Sequence, residues 1–232
     1  MSDTQVSIPE MIAKANVAQQ QFELMSQEAV DAIVRAIGKV VYDNAEDLAR
    51  DAVDETRMGN YEDKVIKNRG KARAIWNNLK DKKSRGVISE RDENGIIQIA
   101  KPVGVVGAVT PTTNPIVTPM CNAMFALKGG NAIILAPHPR AKHCSTKTVD
   151  LMNAEIKRLN GPDHLIQVIS EPSIALTTEL MSSVDVLVAT GGPAMVQSAY
   201  SSGKPSYGVG PGNVQVIIDK DVDFQETAQK VI

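Results

Sequence analysis

Four short stretches carry residue types that bind and activate small molecules. In TPTTNP (residues 110–115), Thr112, Thr113 and Asn114 set two hydroxyls and an amide between the stiffening prolines Pro111 and Pro115. Such groups hydrogen-bond a phosphate or a substrate carbonyl oxygen. They equally well cap a helix that begins near Ile116. In APHPRAKH (136–143), His138, Arg140, Lys142 and His143 gather positive charge. That suits a phosphate, with a solvated basic loop as the plainer alternative. His138, His143 and Cys144 lack a fourth ligand and any zinc spacing, so no metal is expected. In ATGGPAMV (189–196), Gly191 and Gly192 turn the chain into a helix start, where backbone N–H groups can meet an anion. In SYGVGPGN (206–213), three glycines and a proline fall within five residues.

The glycine-rich stretch is not a standard phosphate cradle. GVGPGN does not match G-x-G-x-x-G, and it precedes an apolar run where the dinucleotide fingerprint follows a strand. SSGKPS has the Gly-Lys pair of a P-loop, but Pro205 stands where a hydroxyl is needed.

The elements that must position these stretches have two textures. Up to residue 101, apolar residues recur at helical spacing: Ile8, Ile12, Ala15, Phe22 and Met25, then Ala29, Ile33, Ala36, Ile37, Val40 and Val41. A third helix, AEDLARDAV, ends near Gly59, where a glycine cap is expected. A fourth, from Tyr61 to Asp81, is charge-laced and reads as exposed. GVISERDENGIIQIAK then signals a hairpin turning at Asn94-Gly95. From 102 onward, the continuous apolar runs 103–109, 131–136, 165–170 and 184–190 alternate with helical segments. A helix from Pro193 to Ser202 and a strand from Val214 to Ile218 follow. Runs of this kind are what fully buried parallel strands look like. The expected fold is therefore α/β, a Rossmann-like doubly wound parallel sheet (102–232) preceded by helices and a β-hairpin (1–101). Ligands of such sheets bind at the carboxyl ends of the strands.

Bulk composition excludes other classes. Lys+Arg 25 against Asp+Glu 27 gives a net charge of −2, and aromatics are 3%. Neither an electrostatic footprint for nucleic acid nor a base-stacking platform is present. No apolar run is long enough to span a bilayer, and the N-terminus lacks a signal pattern. The two cysteines, Cys121 and Cys144, do not form a disulfide framework, and a cytoplasmic setting is expected. Each reads as a small buried or partly buried thiol. The final stretch FQETAQKVI is an amphipathic helix without a stop signal, so the chain is expected to be part of a longer polypeptide.

KPVGVVGAVTPTTNP, NAIILAPHPRAKH, ATGGPAMV and YSSGKPSYGVGPGN, in this order and spacing, resemble the aldehyde dehydrogenase superfamily, and within it the CoA-acylating branch. The resemblance covers nearly the whole chain. It implies NAD or NADP as cofactor, coenzyme A as co-substrate, and a small aldehyde as substrate. It also implies a catalytic cysteine in a domain beyond this chain, and a homo-oligomer held in part by the hairpin. Carried over, Val109, Thr110, Pro111, Thr112, Thr113 and Asn114 line the cofactor and the reacting carbonyl. Thr113 and Asn114 are the oxyanion-side candidates, since the asparagine slot of the hydrolytic relatives falls on Thr113. His138, Pro139 and Arg140 lie at the adenosine-phosphate end. Gly191 and Gly192 sit beside the nicotinamide nucleotide, and Gly208 and Gly210 belong to the loop facing it. Ala136 occupies a lysine slot of the hydrolytic relatives and Pro139 lies near an acidic one, which leaves room for a 2′-phosphate. Gly208 occupies the slot of their water-activating glutamate, so the acyl group is expected to pass to CoA rather than to water. Sulfoacetaldehyde and acetaldehyde rank first among substrates. Two alternatives are a phosphate-dependent semialdehyde reductase and a stand-alone nucleotide- or CoA-binding module.

Overall fold

The structure, a computed structural model, describes residues 7–91, 94–212 and 215–231. Four helices open the chain: α1 (Ile8–Glu23), α2 (Gln27–Asp43), α3 (Ala45–Thr56) and α4 (Tyr61–Leu79). Three of them start on a side-chain cap, with Ser7, Ser26 and Asn60 accepting from the backbone N–H groups of Glu10, Ala29 and Asp63. These caps satisfy donors that a helix start leaves unpaired. Helix α3 ends with Arg57 in the left-handed region (φ 58°), ahead of the expected cap at Gly59.

Strands β1 (Gly86–Ser89) and β2 (Gln98–Ala100) pair antiparallel, Val87 opposite Ile99. Among the described residues the ladder ends at Ser89 opposite Gln98, a register that is not centred on Asn94-Gly95. A register irregularity between Val87 and Ser89 shifts the pairing. Residues 92 and 93 lie outside the described ones.

The second part alternates β3 (Val105–Thr110), α5 (Val117–Lys128), β4 (Ala132–Pro137), α6 (Lys142–Arg158), β5 (Ile166–Val168), α7 (Ile174–Ser183), β6 (Val186–Thr190), α8 (Pro193–Tyr200) and β7 (Ser206–Val209). A short helix α9 (Phe224–Val231) follows. The five strands form one parallel sheet in the order β5-β4-β3-β6-β7. Strand order therefore runs outward in both directions from β3 and β6, and the crevice between their carboxyl ends is the switch point of a doubly wound sheet. Strands β3 and β4 are buried along their whole length, as their unbroken apolar runs require.

Strand β7 departs from expectation. The glycine-rich stretch is not wholly a loop: Ser206–Val209 is the edge strand, paired in parallel with β6 through Val188 opposite Tyr207 and Ala189 opposite Gly208. Residues 215–218, expected to be that strand, are irregular, and Val214 lies outside the described residues. Glycine density hid a short strand of Ser, Tyr, Gly and Val whose burial alternates as an edge strand's does.

Helices α5 and α6 pack on one face of the sheet, with α2 behind them, while α1 and α7 meet on the other. The apolar core runs through both halves of the chain: Phe22, Ile33, Ile37 and Leu48 belong to the same buried cluster as Met124, Ile133, Ile134 and Leu135. Lys128 of α5, almost fully buried, pairs with Asp31 of α2 and ties the helical layers together. At the opening of β3, Gly104 (φ 118°) lies against Asp185, whose Oδ2 accepts from the Val105 N–H at 2.8 Å. A side chain at 104 has no room there.

Candidate functional site

A cavity of about 840 Å³ opens at the carboxyl edge of the sheet, over the β3/β6 switch point. Its size falls within the range of cofactor and ligand sites. Each strand end supplies one wall. After β3, Thr110 to Asn114 form the first. The Thr110 hydroxyl is buried without a hydrogen-bond partner among the described residues. Unpartnered buried hydroxyls are uncommon, and this one lies at the strand end beneath the cavity floor.

After β4, a turn of 3₁₀ helix carries His138, Pro139 and Arg140. His138 Nδ1 accepts from the Arg140 backbone N–H at 3.1 Å, which leaves the Nε2 side outward. Arg140 Nη2 donates to the Thr56 carbonyl at 3.2 Å, so the guanidinium is tied to the carboxyl end of α3. The start of α6 has no cap of its own. Glu55 of α3 supplies it, accepting from the N–H groups of His143 at 2.9 Å and Cys144 at 2.8 Å. Burial pushes the Glu55 carboxyl up, but the Cys144 thiol and these two N–H groups outweigh it, and the net shift is below the ordinary glutamate value.

After β5, Pro172, Ser173 and Ile174 close the side of the cavity. After β6, Gly191 and Gly192 lead into α8, with Pro193 at its first turn. The Gly191 N–H is already committed to the Val209 carbonyl at 3.1 Å. Val209, Gly210, Pro211 and Gly212 complete the lining.

Thus Val109, Thr110, Pro111, Thr112, Thr113, Asn114, His138, Pro139, Arg140, Gly191, Gly192 and Gly210 line one cavity. Gly208 does not. A Cβ built there would lie 2.5 Å from Val196 Cγ1 and 2.9 Å from the Tyr200 ring, and the Gly208 N–H donates to Tyr200 Oη at 3.2 Å. Its side-chain direction faces α8 rather than the cavity. Close packing requires glycine at 208, so the position is not an empty carboxylate slot opening on the site.

Sequence reasoning missed two lysines. Lys64 and Lys67 of α4 reach the β3–α5 loop, with Lys64 Nζ 3.4 Å from the Thr113 carbonyl and Lys67 Nζ 3.1 Å from Asn114 Oδ1. Lys64 is 8% exposed, and burial, with Lys67 beside it, pushes its ammonium below the ordinary lysine value. Nothing in α4's sequence separates these two from the lysines around them; only the tertiary contact does. Among the described residues lining the cavity none is acidic. The two cysteines lie outside it. Burial pushes the Cys121 thiol up to about 12 and Cys144 higher still, so neither carries thiolate near neutral pH. No group of acidic, His and Cys side chains among the described residues could hold a metal. No described helix is long and apolar enough to cross a membrane.

Fold and cavity together define a doubly wound α/β unit with a ligand-sized cavity at its switch point. The family model for the aldehyde dehydrogenase family matches residues 2–232, and the chain belongs to that family. It is 58% identical over 228 residues to the succinate-semialdehyde dehydrogenase (acetylating) of Clostridium kluyveri, covering 98% of this chain and 50% of the relative. It is 50% identical over 222 residues to a sulfoacetaldehyde dehydrogenase of an Acholeplasma species, covering 95% and 46%. Among solved structures, it is similar to the propionaldehyde dehydrogenase of Rhodopseudomonas palustris with bound CoA and an acylated cysteine. That match has a TM-score of 0.78 and 38% identity, over 89% of this chain and 47% of the other. The chain spans about half the length of the curated relatives it matches.

Proposed function

We propose that this chain is the cofactor-binding half of a CoA-acylating aldehyde dehydrogenase, converting a small aldehyde, NAD(P)⁺ and CoA into acyl-CoA and NAD(P)H. The observation that carries the reading is the switch-point cavity, walled by the ends of all five strands and free of carboxylates among its described lining residues. Phosphates are its natural occupants: Arg140 and His138 stand at one end, and the α8 start stands at the other. The orphaned Thr110 hydroxyl and the close glycine turn suit a dinucleotide laid across the strand ends. With no carboxylate among the described lining residues to claim the adenosine ribose, NADP⁺ fits as readily as NAD⁺.

Bound nicotinamide would supply the hydride acceptor. The chain's own contribution is to bind and orient, and to offer N–H and O–H donors at Thr113 and Asn114 where an oxyanion develops. The raised thiol pKa values of half-buried Cys121 and buried Cys144 support a nucleophilic thiolate supplied by the half that the relatives have and this chain does not span. The chain by itself should therefore bind cofactor without oxidising aldehyde. The names of the two curated relatives favour an aldehyde bearing an anionic tail, succinate semialdehyde or sulfoacetaldehyde, ahead of acetaldehyde. The hairpin exposes Val87, Ile96, Ile97 and Ile99, which supports a role in homo-oligomer formation.

Two measurements test this. In the complete polypeptide, aldehyde-dependent NAD(P)⁺ reduction should require CoA; equal rates without CoA and release of free acid would overturn it, and a requirement for phosphate would favour the reductase reading. For the chain alone, calorimetry should detect NADP⁺, NAD⁺ or CoA, and binding of none of them would remove the cavity as the site.

A further inference from the structure

The proposed oxyanion loop is held from outside the sheet. Helix α4 crosses below it and presents Lys64 and Lys67 three residues apart, on one helical face. Lys67 Nζ lies 3.1 Å from Asn114 Oδ1, while Asn114 Nδ2 lies 3.4 Å from Thr113 Oγ1. An ammonium has donors only, so it selects the amide orientation in which the oxygen faces α4. What the side chain has left to offer an occupant of the cavity is its N–H₂ group. Withdrawing electron density at Oδ1 also polarises that N–H₂ and strengthens it as a donor, since hydrogen bonds in a chain reinforce one another. Lys64 takes the neighbouring main-chain carbonyl, of Thr113, at 3.4 Å and keeps that acceptor turned towards α4.

We propose that Lys67, seconded by Lys64, is a positioning residue that fixes the Asn114 amide with its N–H₂ as the donor for the acyl oxygen of the reacting aldehyde. This rests on the reading of the cavity as the aldehyde-oxidising site. Lys67 does not touch substrate; it acts through Asn114. Its exposed setting on α4 means that replacing it leaves the fold intact, whereas a lysine binding an anionic substrate tail directly would act on affinity instead.

The test is a kinetic cycle in the complete polypeptide, with an amide readout in the 232-residue chain. Lys67→Met should lower kcat about tenfold with KM for aldehyde and cofactor within twofold, and Lys67→Arg should restore most of it. Asn114→Ala should lower kcat roughly a hundredfold, the order seen for loss of one oxyanion donor. The double variant should be no slower than Asn114→Ala within about twofold. Multiplicative losses, or a loss confined to aldehyde KM, would overturn the proposal, the latter in favour of direct contact with the substrate tail. In the chain alone, the Asn114 side-chain ¹H–¹⁵N amide pair, assigned by its disappearance in Asn114→Ala, should move on Lys67→Met and return on Lys67→Arg. An unmoved pair refutes the positioning whatever the kinetics. A complete wild-type polypeptide without CoA-dependent aldehyde oxidation would remove the functional reading, and the amide pair would still decide the Lys67–Asn114 contact.

Discussion

Replacing Glu55 with glutamine should loosen the basic loop of the site from a distance. The Glu55 carboxylate caps α6 from a neighbouring helix, through N–H groups of His143 and Cys144 at 2.9 and 2.8 Å. Glutamine keeps one acceptor, turns an NH₂ group towards the other N–H, and removes the charge that complements the helix N-terminus. Losing one charge-assisted hydrogen bond and the dipole interaction amounts to about 2 kcal/mol. At this chain length that corresponds to a fall in Tm of roughly 4–8 °C. The pH dependence gives the sharper signature. The folded-state pKa of Glu55 lies below its unfolded value, so its charged form contributes stability that is fully present above about pH 4.5. That contribution is lost as pH falls through the folded value. Urea midpoints of wild type and Glu55→Gln should therefore differ most at pH 6–8 and converge as the pH falls below 4.5. Because His138 and Arg140 sit in the turn immediately ahead of α6, the variant should also bind NADP⁺ more weakly at neutral pH. A gap that stays constant from pH 7 to 4, or no gap at all, would refute the view that the charge holds this helix start.

Three further outcomes follow from individual contacts. Gly208→Ala should destabilise the chain by about 1–3 kcal/mol, through overpacking against Val196 and Tyr200, with the loss visible in urea midpoints. Lys64→Met removes a buried cation with no carboxylate partner and conserves volume, so thermal melting should rise by a few degrees rather than fall. Arg140→Ala should weaken NADP⁺ roughly tenfold, by calorimetry at low salt, and NAD⁺ much less, since only the former offers a 2′-phosphate. Equal losses for the two would place Arg140 away from the ribose.

The sequence showed most where chain periodicity and local chemistry coincide. Unbroken apolar runs marked β3, β4 and β6 within a residue or two, and the loops that follow those strands carried the threonines, histidine, arginine and glycines that now share one cavity. What stayed hidden depends on contacts between segments far apart in the chain. The Glu55 cap on α6 and the Lys67 contact to Asn114 join residues 88 and 47 positions apart, so no local pattern announces them. The hairpin itself was legible; its register was not. Asn-Gly is a strong turn signal taken alone, yet the observed pairing of Val87 with Ile99 is set by the whole ladder, irregularity included.

Gly208 shows how a slot in an aligned pattern and a position in space can diverge. Its place suggested a missing water-activating carboxylate, and hence transfer to CoA. In the structure its missing side chain is the space that Val196 and Tyr200 occupy, and a glutamate there would first have to displace α8. Transfer to CoA is supported instead by the lack of carboxylates among the described lining residues and by the acylating relatives. The two accounts separate experimentally. If the glycine served only to exclude a general base, Gly208→Ala would leave both stability and CoA-dependent turnover unchanged. If it serves packing, alanine already disturbs α8, and with it the Gly191–Gly192 turn that α8 extends. Stability and cofactor affinity should then fall together while free-acid release stays absent.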